Sequence, residues 1–197
     1  MIRRLVLAFG LAAASLGPAP LALAQEAPQA AVVNVDGWER QVAQTGTIFY
    51  RCKPGGTCAA GSTVSYRGQA VAPVPTVAVY RERQEGLNRR MVEQSNGRLS
   101  AVEIIEVAES TRGSAKVLTA VKALVAANGP RQFLATSLVA DGDRHLSIVS
   151  TAGTEAAARA NIATFLPVLL AAPRSATTPP PAPAGQPARP AEPRRNP

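Results

Sequence analysis

Between Phe133 and Thr151 the chain reads "FLATSLVADGDRHLSIVST", and from Thr154 to Leu169 it continues "TEAAARANIATFLPVL". The first stretch is a pair of β-rich runs joined at Asp141-Gly142-Asp143. Asp-Gly tolerates the positive φ of a tight turn, so this predicts an antiparallel hairpin. In the second stretch Thr154 stands where a helix N-cap belongs, and Ala158, Ile162, Phe165, Leu166 and Leu169 recur at helical spacing. A helix with one apolar stripe, placed directly after a hairpin, packs back on the sheet. Pro167 should kink this helix or end its regular part.

Upstream, Ser114 looks like another N-cap, and Val117, Leu118, Val121, Leu124 and Val125 fit a helical period stopped by Asn128-Gly129-Pro130. "TGTIFYRC" and "GSTVSYRGQ" have strand composition. "TVAVYRERQ", residues 76–84, alternates as a strand does. Ser95-Asn96-Gly97 predicts a hairpin turn between "NRRMVEQ" and "RLSAVEIIEVAES", although the glutamates around Ile104 and Ile105 also fit a helix. The expected architecture is α+β: an antiparallel β-sheet with one internal helix and a C-terminal helix packed on it.

The hairpin at 133–151 and the helix after it resemble the end of the PsbP/Mog1-like fold. The likeness covers the last third of the domain as a pattern of elements, without a signature motif. Such domains are small antiparallel sheets closed by a C-terminal helix, often exported and usually non-catalytic. The resemblance implies an accessory or scaffold role and carries over no functional residue.

The ends of the chain differ from its middle. "MIRR" is followed by an uncharged apolar run that closes on Ala22-Leu23-Ala24. A charged head, an apolar middle and a small-x-small site predict a signal peptide over residues 1–24, cleaved near Ala24. The mature protein is then expected in the periplasm or outside the cell, with one domain over 25–172. Residues 173–197 are rich in Pro, Ala and Arg, which predicts a disordered tail. The whole chain carries +8, but only +3 falls between residues 25 and 172. That is no footprint of a nucleic-acid binder, and it permits only weak contact with an anionic envelope surface.

Export decides the reading of "FYRCKPGGTC", which holds both cysteines, Cys52 and Cys58. Thiols this close in an oxidising compartment pair. Pro54, Gly55 and Gly56 let the chain reverse between them. The expected disulfide staples a hairpin tip between "TGTIFY" and "STVSYR", contributing about 2 kcal/mol. The spacing is too long for a C-x-x-C redox pair, and zinc would need further ligands.

Little else points to chemistry. His145 is the only histidine, no G-x-S-x-G elbow accompanies it, and it is expected on a surface or half-buried strand position. In a strand, Glu103 and Glu109 share a face while Glu106 points away, which makes a charged strand rather than an acid/base pair. Asp141 and Asp143 are explained by their turn, with too few oxygens for calcium. Trp38, Tyr50 and Tyr66 are expected as core packing. No metal site and no cofactor seat is expected. Arg81, Arg83, Arg89 and Arg90 form the densest basic cluster, with Arg81 and Arg83 expected on one strand face that would grip a carboxylate or phosphate. The function expected is that of an exported, non-enzymatic accessory protein of a bacterial-type cell envelope, whose partner is another envelope protein. Its rivals are a small-molecule or anionic-polymer binding module on an Arg81/Arg83 face, and a hydrolase built around His145.

Overall fold

A computed structural model describes residues 30–173. The leader expected at 1–24 and nearly all of the tail expected at 173–197 lie outside the described residues. Seven strands form one sheet: β1 (Trp38–Val42), β2 (Ile48–Cys52), β3 (Thr63–Gln69), β4 (Leu99–Arg112), β5 (Ala115–Ala126), β6 (Gln132–Asp141) and β7 (Arg144–Ala152). Helix α1 (Val77–Gln94) lies between β3 and β4 in the chain, and α2 (Glu155–Ala171) follows β7. The spatial order is β1-β2-β3-β7-β6-β5-β4, with every neighbouring pair antiparallel. The class is α+β, with one internal and one C-terminal helix, as expected.

The internal helix, however, is not where the sequence pattern puts it. Residues 115–126, expected as a helix, form strand β5. The cause is burial on both faces. Val117 and Val121 pack into the core beneath α2, whereas Leu118 and Ala120 pack on the opposite face with Tyr80 of α1. A strand covered on both sides has no polar face, so its apolar residues also fit a helical period. Ser114 caps no helix; its hydroxyl donates to Asp141 Oδ1 at 2.7 Å.

The converse correction falls on residues 77–94, where "TVAVYRERQ" was expected as a strand and is the start of α1. Thr76 caps it by accepting a hydrogen bond from the Val79 amide at 3.3 Å. Its buried face consists of Tyr80, Gln84 and Asn88, spaced by four. Those side chains are polar, so the helix has no apolar stripe to read. Asn96 and Gly97, both at positive φ, turn the chain from α1 into β4 instead of closing a hairpin.

Two of the three hairpins expected from the sequence are present, as β2–β3 and β6–β7. Cys52 and Cys58 form a disulfide across the β2–β3 connection, with Cα atoms 5.8 Å apart. Beneath α2, Phe165 meets Trp38 and Tyr50 edge-on at ring-centroid distances of 5.1 and 4.8 Å. Tyr50 and Tyr66 tie the incoming chain to this core, donating to the carbonyls of Val33 and Ala31 at 2.6 and 2.9 Å. Pro167 neither ends nor replaces α2, which runs on to Ala171. Past it, the Arg144 guanidinium donates to the carbonyls of Leu169, Leu170 and Ala172, closing the helix C-terminus with a positive charge.

Candidate functional site

The expected basic face on Arg81 and Arg83 is rearranged by the helix. Two residues apart on a helix, they point to opposite sides. Arg81, Glu85 and Arg89, spaced by four, instead share one side of α1 and rim a groove between α1 and β4. The groove encloses about 630 Å³ and is floored by Asn88, Val102 and Ile104. Arg83 and Arg90 do not line it. Arg81 and Arg89 form no ion pair with a carboxylate among the described residues.

Behind Asn88 lies a group that the sequence pattern did not reveal. Lys122 of β5 is 1% exposed, and its ammonium donates to Asn88 Oδ1 at 2.7 Å. Asn88 is held in turn by donating from Nδ2 to the Val102 carbonyl at 3.4 Å. No carboxylate pairs with Lys122 among the described residues. Burial pushes its pKa down from 10.5 to about 8. One turn earlier along α1, Gln84 is buried with its Oε1 lacking any hydrogen-bond partner. The interface beneath α1 therefore holds a buried cation with one acceptor and a buried acceptor with no donor. A single lysine inside the run "VLTAVKALVA" was the available signal. It was hidden because that run fits a helix, in which Lys122 would have been placed on a solvated side.

The other candidate residues are dispersed. His145 is buried at 6% exposure on β7, deeper than expected, in register with Ala140 and Gln69. A bulge between Ile104 and Glu106 changes the glutamate faces. Glu103 pairs with Ala123 and Glu106 with Val121, both on the α2 face, while Glu109 pairs with Leu118 on the α1 face. The expected grouping of Glu103 with Glu109 is thereby reversed. Each glutamate has its own cation: Arg131, Arg159 and Lys116 respectively. Among the described residues no cluster of three or more His, Cys, Asp or Glu side chains is placed to hold a metal ion.

No protein-family model matches the chain, and no curated protein matches it. Among solved structures, the chain is similar to the solution structure of cyanobacterial PsbP (CyanoP) from Synechocystis sp. PCC 6803. The two share 8% identity with a TM-score of 0.43, over 68% of this chain and 76% of that one. The comparison assigns no ligand and no residue role to this chain.

Proposed function

We propose that the protein is an exported, non-enzymatic accessory protein of the cell envelope that binds another protein through the groove beside α1. The group it grips is a carboxylate or phosphate displayed by that partner. One observation carries this reading: the buried Lys122 ammonium, paired with no carboxylate among the described residues, sits behind Asn88, which floors a groove rimmed by Arg81 and Arg89 together with Glu85 and Glu93. A buried cation is costly until an anion joins it, so an incoming oxyanion is favoured there over water. The Cys52–Cys58 bond fits an oxidising compartment.

The test uses the full mature chain immobilised against envelope extract, with a polyglutamate peptide as competitor. A retained protein is expected to be lost on adding polyglutamate and in the Arg81→Glu/Arg89→Glu variant, and kept in the Arg83→Glu/Arg90→Glu variant. Equal retention by both variants, or none by the native chain, overturns the proposal.

A further inference from the structure

The opposite side of the sheet has a second opening that the groove beside α1 does not reach. A cavity of about 500 Å³ lies between α2 and the β4–β5 edge. Its inner wall is formed by Val117, Ala135, Ile162 and Leu166, each buried. The gap exists because small side chains face each other there: Ala163 on the helix, and Thr119 and Ala135 on the strands. Thr119 adds no polar demand, because its hydroxyl is hydrogen-bonded to that of Ser137 at 2.8 Å. The inner wall is thus apolar in effect, with Ser110 on the β4 side, and the cavity's volume lies in the usual range for small-molecule pockets.

Two guanidinium groups stand at the rim. Arg159 is committed, paired with Glu106 at 2.6 Å and Glu155 at 2.7 Å. Arg112, at the exposed end of β4, has no such partner among the described residues. An apolar slot with one uncommitted guanidinium at its mouth selects a ligand with an apolar body and an anionic end. We propose that this cavity binds an apolar carboxylate of fatty-acid size, its chain between α2 and β5 and its carboxylate on Arg112. The proposal is independent of the groove beside α1.

The protein's single tryptophan supplies a readout, because Trp38 packs on Phe165 of α2, next to Leu166. Titration of the mature chain with oleate below its micellar concentration is expected to change Trp38 fluorescence saturably, with one oleate bound per chain by calorimetry. Arg112→Glu is expected to weaken binding roughly tenfold. Ala163→Phe fills the cavity from an exposed helix position and is expected to abolish binding. Ser110→Trp fills it from the β4 wall and serves if Ala163→Phe fails to fold. Methyl oleate, which lacks the charge, is expected to bind about tenfold more weakly than oleate. The Arg81→Glu/Arg89→Glu variant is expected to bind oleate normally. Absence of saturable binding, unchanged binding in the folded filled variants, or equal binding of methyl oleate overturns the proposal.

Discussion

Two helices cover the two faces of one sheet, and their undersides have opposite chemistry. Beneath α2 lie Ala158, Ile162, Phe165, Leu166 and Leu169, set against Val117, Val121, Val139 and Ile148. Beneath α1 lie Tyr80, Gln84 and Asn88, set against Leu118, Ala120 and Lys122. Apolar burial stabilises in proportion to area, whereas buried polar groups stabilise only when fully paired. The α2 side therefore anchors the fold. The α1 side is held more weakly and retains unmet hydrogen-bonding capacity at Gln84 and Lys122, which is the condition for a site that a ligand can complete.

The largest effect should come from opening the apolar side. Phe165 is fully buried between Trp38 and Tyr50, so Phe165→Ala leaves a cavity among rings that cannot all relax into it. A loss of about 3–5 kcal/mol is expected in denaturant unfolding. If Tyr80→Ala on the α1 side costs as much, the two interfaces are not energetically distinct.

The next effect separates the faces by pH. Unfolded, Lys122 titrates near its ordinary 10.5; folded, burial brings it to about 8. Below pH 8 it is charged in both states, and the full cost of burying the charge is present. Between 8 and 10.5 the unfolded chain holds more protons, so unfolding free energy rises with pH. The rise amounts to about 3 kcal/mol, because each pH unit across that interval contributes ~1.4 kcal/mol. Burial pushes the Tyr66 and Tyr80 hydroxyls above their ordinary 10, which turns the curve down again once the unfolded tyrosines ionise. Lys122→Met removes the rise and leaves the downturn. It should be more stable than the native chain below pH 8, by on the order of 2 kcal/mol after Asn88 loses its partner. A native profile that is flat from pH 8 to 10 would remove the basis for reading Lys122 as an uncompensated buried charge.

What the sequence revealed follows the same division. The β6–β7 hairpin, α2 and the Cys52–Cys58 staple were legible because each depends on local chemistry or on one apolar face: Asp141-Gly142 at a turn, a stripe ending in Leu169, and thiols six residues apart. α1 and β5 were exchanged because their tertiary surroundings are unusual. β5 is buried on both faces, which erases alternation, and α1 buries amides and a phenol, which erases the stripe. The bulge at Ile104–Glu106 shifts side-chain parity within β4, and no glycine or proline marks it. Of the candidate site, Arg81 and Arg89 were legible as charge density. Their companion Lys122 was not, because only the pairing of β5 beneath α1 brings it to Asn88.

The smallest effect sharpens the comparison from the edge of the α2 core. Cys52 belongs to the core beneath α2, and Cys58 packs against that core. Replacing both by serine changes the unfolded chain more than the folded one, and a loop this short should cost about 2 kcal/mol. Amide exchange resolves where that loss is felt. Groups that exchange only by global unfolding lose protection by the whole amount, roughly thirty-fold at about 2 kcal/mol. The buried amides of α2 and β7 are expected to behave so, because they share the core that the staple closes. The amides of α1 are expected to open locally, since the helix is fastened through Tyr80, Asn88 and a polar underside. Their protection should start lower and change by no more than about threefold when the staple is removed. Equal loss in α1 and α2 would show that the two faces unfold as one unit, so that the polar underside of α1 confers no separate freedom to open around a ligand.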